Sequence, residues 1–551
     1  MKTFLVIASL LLFSTTLFAQ HSDMQVKTTA EKPATLMSGL GSLHHPVSTS
    51  NTEAQRFFDQ GLSLVFAFNH DEAVRSFKRA AELDPQMAMA WWGIALALGP
   101  NINLDVDPER ERAAYDATQK ALSLSVKASD VERAYIQALT KRYSIDLKAD
   151  LKRLAVDYKN AMGELVKKYP DDLDAATLYA ESAMDLRPWR FWTADGKPAE
   201  GTEEIISTLE SVLRRNPNHH GAIHYYIHAI EASPNPERAL AYAARLAKLA
   251  PAAGHLVHMP AHIYQRTGDY EAAARSNADA AAVDEAYFKA NGRQGLYPAM
   301  YYNHNLHFLA IARSMEGRFA EAMKAAKRLE GSVVPYVKDT PMLEGYMTVA
   351  PLLLVRFSRW DDIEKTSPPD AALESTVGIW HFARGMAFAA RGDVGKASSE
   401  HQALVQAEKF VPADALSASG LNPASSVLAI ADDFLNARIA AARQDNKAAI
   451  GLLREALKKE DSLAYEEPAS WFLPVREALG GALLKSGDYA GAEQVFRDDL
   501  QRNRRNGRSL FGLMESLKSQ KKNYAAAMVE REFESAWKNA DAKLTIRDLW
   551  R

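Results

Sequence analysis

The 551-residue sequence contains no cysteine. That absence excludes disulfides, thiolate metal sites, a cysteine nucleophile and a lipidated N-terminal cysteine. Beyond residue 18 no apolar run approaches the length needed to span a bilayer. Charge of one sign is not in excess: 66 Lys and Arg stand against 69 Asp and Glu, which gives no general pull toward nucleic acid or an acidic membrane. Sustained two-residue alternation with turn signals, the mark of β-strands, is missing. So are HExxH, G-x-S-x-G, a phosphate-binding glycine loop and a dinucleotide fingerprint, so no recognised catalytic motif is present.

What the sequence has is apolar residues in folded-protein proportion, 47%, with 25% charged, so most of the chain is expected to fold and to be stable through packing alone. Lys2 followed by the apolar stretch Thr3 to Phe18 and the small residue Ala19 reads as a secretory signal peptide over residues 1–19. It predicts a periplasmic or secreted protein with no membrane span after its removal. Residues 20–50 are polar and read as a flexible, extended segment, with His44 and His45 solvated.

From residue 51 a repeat grammar sets in. Residues 54–85, AQRFFDQGLSLVFAFNHDEAVRSFKRAAELDP, place a small Gly61 where two helices cross, Ala73, Phe77 and Ala80 on the second helix, and Pro85 at its end. Pro170, Pro217 and Pro251 close further units. Gly268-Asp269-Tyr270, Gly317-Arg318-Phe319, Gly392 and Gly487-Asp488-Tyr489 mark helix–helix turns. This pattern resembles the tetratricopeptide repeat. The resemblance covers most of residues 51–540 and implies an all-α, right-handed superhelical solenoid of about nine or ten helix pairs. It also implies a concave groove that takes a peptide, protein or small-molecule ligand. The segments HYYIHAIEAS (224–233) and GHLVHMPAHIYQRTGDY (254–270) further resemble uncharacterised exported bacterial proteins of this type, which supply no activity. The organisation read from the sequence is an array with a histidine-rich groove over 51–330, an irregular helical stretch over 331–424 and a C-terminal array over 425–551. The joint at 410–424 reads as the border between sub-arrays.

Nine of the 15 histidines fall between residues 219 and 307. Aligned on the closing prolines Pro217 and Pro251, His224 maps onto His258 and His228 onto His262. Aligned on Gly268 and Gly317, His255 maps onto His304 and His258 onto His307. At about 100° per residue, His255, His258 and His262 fall within about 60° of one helix face, and His220, His224, His228 and Glu231 within about 80°. The register predicts one wall formed by His224, His228, His255, His258, His262, His304 and His307, with His224, His258 and His262 reaching one ion. Glu181, Asp185 and Glu231 are candidate carboxylates beside it. Imidazole and carboxylate donors on facing helices are what a first-row transition metal requires. Zinc, copper, iron and manganese are not distinguished, although Met259 beside His258 hints at copper. A structural hydrogen-bond network and direct binding of an acidic ligand remain alternatives, as does an enzyme using Glu181 or Glu231 as its acid–base group. The aromatic-rich insertion 187–201 predicts a lid in which Trp189, Phe191 or Trp192 packs near the histidines, with Trp189 and Trp192 as ligand contacts. Outside the wall, His70 and His381 read as packing residues. Glu466, Glu467 and the stretch Trp471 to Glu477 read as an ordinary helix start.

Overall fold

The residues that punctuate the sequence also punctuate the chain. Helices His70–Leu83, Leu151–Lys168, Thr202–Arg215 and Leu240–Leu249 each stop one or two residues before Pro85, Pro170, Pro217 or Pro251. Gly268, Gly317, Gly392 and Gly487 adopt the left-handed conformation at φ 79°, 75°, 80° and 84°, which a side chain disfavours. After three of these turns the next helix is capped by an aspartate, Asp269, Asp393 or Asp488, whose carboxylate accepts from a backbone N–H three residues on. The structure, a computed structural model, describes residues 34–550 apart from Leu147, Arg293, Gln294, Leu296 and Ser419. The leader read at residues 1–19 lies outside them.

Successive helices pack as pairs because each buries one apolar face against its neighbour. The crossing geometry shows why small residues recur. A Cβ placed on Gly61 or Gly93 would lie 2.6 or 2.4 Å from the ring of Phe77. Near the other end, Gly480 and Gly512 flank Phe496 at 2.5 and 2.2 Å in the same way. One aromatic ring is thus wedged between two glycines of flanking helices, once in the N-terminal repeats and once in the C-terminal ones. The described helices form the expected nine or ten pairs, and no β-strand occurs among the described residues. No described helix is long and apolar enough to cross a membrane.

Two findings differ from the organisation read in the sequence. First, residues 34–50 form no helix and many of them, His44 included, are exposed, but the segment is tied to the array. Met37 N–H donates to Gln60, Ala252 N–H donates to the Gly39 carbonyl, and His45, 8% exposed, pairs with Asp174 at 2.8 Å. Backbone pairing and a buried carboxylate hold this strap where composition alone suggests a flexible one. Second, the apolar core does not divide near 330 or 424. It forms two clusters whose border runs through residues 256–306: Leu256, Met259, Ile263 and Tyr301 belong to the first, and Ala261, Ala273 and Leu306 to the second. The histidines lie along this seam. The superhelix also closes on itself there, because Arg504 pairs with Glu237 at 3.0 Å and the Tyr270 hydroxyl donates to the Arg504 carbonyl at 2.9 Å.

Candidate metal centre

Three short stretches of helix carry the histidines: His220–Ile230, Gly254–His258 continuing as Pro260–Thr267, and Asn303–Met315. Spacings of four residues put His224 above His228 and His258 above His262 on one helix face each. The side chains form two adjoining trios, His224 with His228 and His255, and His258 with His262 and His304, with ligand atoms in each trio within 4.8 Å of one another. The trios touch: the His228 and His262 rings are 5.4 Å apart and those of His255 and His258 5.6 Å.

The outer nitrogens are occupied. His224 Nδ1–H donates to the Phe66 carbonyl at 2.7 Å. His258 Nδ1–H donates at 2.6 Å to Asn277 Oδ1, which is oriented by its own Nδ2 donating to the Ala273 carbonyl. His228 and His262 donate to opposite oxygens of Glu231 at 2.8 and 2.5 Å. Carbonyl and carboxylate oxygens only accept, so all four rings carry hydrogen on Nδ1 and leave Nε2 as a bare lone pair when neutral. These Nε2 atoms point inward. His258 and His262 bring theirs to 2.8 Å, His224 lies 3.0 Å from His255 Nε2, and His228 Nε2 has no partner among the described residues.

Two lone pairs facing at 2.8 Å repel unless an electrophile lies between them. On the His258 ring a proton is disfavoured. Burial holds His224, His255, His258 and His304 well below the usual imidazole range, and the neighbouring imidazoles add to it. Burial also opposes ionisation of Glu231, yet His262 and His228 beside it hold its carboxyl at about 2, so it is charged. Imidazoles with Nδ1–H on carbonyl or carboxylate oxygens and Nε2 directed inward are the arrangement that orients metal-ligating histidines.

The remaining predicted residues divide. His307 does not join: about 60° further round the helix than His304, it faces Tyr346 at 5.6 Å, and burial lowers its pKa to about 3. Nor does one trio contain His224, His258 and His262 together, because the first belongs to the other half of the cluster. Glu181 and Asp185 are also corrected: they meet Arg142, which binds Asp185 at 2.5 Å, and burial and then the Asp185 carboxylate push Glu181 well up. Met259 lies in the apolar core instead of among the donors. His220 sits against Gly41 of the N-terminal strap. His70 packs against Phe68 and His381 pairs with Glu400. A third group, His45, Asp172 and Asp174, spends its atoms on the strap, on the Tyr135 hydroxyl and on His219.

Of the insertion, Trp189 lies edge-on to His228 at 5.0 Å, Trp192 Nε1–H donates to the Ala229 carbonyl at 2.8 Å, and Phe191 is buried in the core. The histidines therefore do not line an open groove. All but His304, which is half-buried, are enclosed.

Three enclosing residues are not evident from the histidine register. Phe68 stacks on His255 at 5.4 Å and meets His224 edge-on at 4.5 Å. Its φ of 54° stores strain of about 1–2 kcal/mol in a non-glycine residue. The sequence does hold that signal, since Phe68-Asn69-His70 occupies the place of Gly268-Asp269-Tyr270. Tyr301, in the wide helical turn Pro298–Tyr302, lies 4.7 Å from His255. From the far end of the array, the Tyr465 hydroxyl meets Glu231 Oε2 at 3.3 Å and Glu467 at 3.1 Å. Burial and the nearby Glu231 raise Glu467 to about 7 against the opposing pull of Arg266.

Fold and site together define the class: an all-α solenoid of paired helices with a buried polyhistidine cluster at the seam of its two cores. No protein-family model and no curated protein matches the chain. Among solved structures it is similar to human IFIT1 in its dimer with m7Gppp-AAAA, at 14% identity over 89% of this chain and 91% of that one, TM-score 0.32. Yeast Tom70 is similar at 12% identity over 88% and 90%, TM-score 0.30. So is the Cut9–Hcn1 hetero-tetramer of the APC/C, at 12% identity over 91% and 90%, TM-score 0.29. Nothing about the site is carried over from these proteins.

Proposed function

We propose that this protein is a transition-metal-binding solenoid whose metal is held by the Nε2 atoms of His224, His228, His255, His258, His262 and His304. The observation behind this reading is the facing pair of bare Nε2 atoms in His258 and His262, 2.8 Å apart, with both Nδ1 hydrogens fixed by outer acceptors. We propose export as well: the leader read at residues 1–19 supports a periplasmic or secreted location. An enzyme with Glu181 or Glu231 as acid–base group has less support, because Glu231 is committed to two rings and Glu181 lies with Arg142 and Asp185. A metal-free protein-interaction scaffold leaves the inward Nε2 atoms without a role. Elemental analysis of untagged protein tests the proposal. Stoichiometric metal that is reduced in His258→Ala and retained in full in His381→Ala supports it. Protein that stays metal-free after incubation with each first-row ion would return the array to the scaffold reading.

A further inference from the structure

We infer that the cluster holds two ions and not one, and that they are monovalent copper, one on His224, His228 and His255 and one on His258, His262 and His304. This rests on the metal reading above. The argument begins with number. Six imidazoles exceed one tetrahedral shell, and their ligand atoms separate into two groups of three, each within 4.8 Å.

Charge comes next. Every donor in both trios is an imidazole, which brings no negative charge to an ion, and the chain has no cysteine to supply a thiolate. The carboxylate of Glu231 stands behind the rings with both oxygens engaged by Nδ1–H groups, so one negative charge serves the whole cluster from outside. Repulsion between two ions scales with the product of their charges, so a divalent pair costs about four times what a monovalent pair costs at equal spacing. In a buried site that difference is weakly screened.

The walls argue the same way. A divalent zinc ion on three histidines completes its shell with water or substrate. Here the rings are covered by hydrocarbon: Phe68 stacks on His255 and His228 at 5.4 and 6.1 Å, Trp189 meets His228 at 5.0 Å, and Phe308 meets His258, His262 and His304 at 5.3, 5.2 and 5.7 Å. None of these rings offers an oxygen to a fourth position. Imidazole suits zinc, copper, iron and nickel alike; of these metals, copper in its monovalent form is the one that combines low charge with a complete shell of three donors.

The test uses the full-length, untagged protein, stripped with chelator and titrated without oxygen with copper(I) against a competing copper(I) chelator, and separately with zinc(II). The expected result is two copper ions per chain, retained through gel filtration when zinc is present in tenfold excess. His255→Gln and His304→Gln should each reduce the bound copper from two to one, with the helical circular dichroism unchanged. If either variant fails to fold, the wild-type stoichiometry and competition still decide the matter. One ion per chain, or zinc displacing copper, overturns this inference and leaves the metal-binding reading standing. No bound ion of either kind also overturns it, and the metal-binding reading falls with it if the other first-row ions fail to bind as well.

Discussion

Tyr465 and Glu231, 234 residues apart in sequence, meet through a 3.3 Å hydrogen bond from the tyrosine hydroxyl to Oε2. The residue that orients His228 and His262 is thereby tied to the loop between the last two groups of repeats. Arg266 closes the same corner, with its Nε donating to the Glu231 carbonyl at 2.9 Å and its guanidinium 5.4 Å from the Tyr465 ring.

Removing that hydroxyl should loosen the cover without unfolding the array. Tyr465→Phe is expected to cost about 1 kcal/mol of stability and to speed metal release to a chelator by roughly 5–10-fold. Stopped-flow transfer of metal to a chromogenic chelator measures this. Release at the wild-type rate would show that the loop does not gate the site.

Glu231→Gln should weaken metal binding by roughly 10–100-fold, the usual effect of losing an outer-shell partner. An amide can accept from one Nδ1–H but turns its NH2 toward the other, so His228 and His262 cannot both keep their orientation. Equilibrium competition with a chelator checks it. Affinity equal to wild type would mean the carboxylate does not fix the rings.

Acid should destabilise the metal-free protein steeply. Burial lowers His70, His220 and His307 to about 3, while the same residues in the unfolded chain titrate near 6.5. The unfolded state therefore binds more protons below pH 6.5, and stability is present above that pH and lost as pH falls toward 3. Each fully neutral buried histidine contributes about 1.4 kcal/mol per pH unit, or about 4 kcal/mol per unit for the three together. His224, His228, His255, His258 and His304 of the metal cluster shift in the same direction and steepen the loss, and bound metal should oppose it. Thermal melts of stripped and loaded protein between pH 7.5 and 5 test this. A pH-independent melting temperature in stripped protein contradicts it.

Gly254→Ala should disturb the helix that carries His255. Its Cβ would lie 1.9 Å from Asp284 Oδ1, and that oxygen accepts from the Tyr297 hydroxyl, which in turn accepts from the His255 backbone N–H at 3.1 Å. Destabilisation of about 1–3 kcal/mol with reduced metal content is expected. Gly331→Ala, where nothing lies within 4 Å, should leave metal content unchanged and gain up to about 1 kcal/mol of helix stability. Equal behaviour of the two variants in denaturant titrations would rule out the positioning role.

The local features were readable because they are local. Prolines that stop helices, glycines that enter the left-handed region and histidines at four-residue spacing all act within one or two turns of chain, so Pro217, Gly268 and the pair His258–His262 carry their meaning in the sequence. His307 was misplaced because the 49-residue alignment offset fixes register along the repeat but not which side of the helix meets the next layer. The division into two trios and the cover from Phe68, Tyr301 and Tyr465 depend on how the superhelix closes. That closure is set by contacts such as Arg504 with Glu237, and no window of sequence contains both. Glu181 is not among the histidines: it lies buried beside Asp185, the carboxylate that pairs with the buried Arg142.

That closure also has a temporal side. Translation runs from the N-terminus, and domains and repeats fold as they emerge. All six clustered histidines lie between residues 224 and 304, so they emerge together, whereas Tyr465 and Glu467 do not yet exist at that moment. A nascent chain therefore passes through an interval in which the six histidines have emerged and Tyr465 and Glu467 have not. Synthesis of the later repeats ends it by bringing Tyr465 against Glu231. The order of the genetic text thus allows loading first and enclosure second, without any later opening of the finished protein.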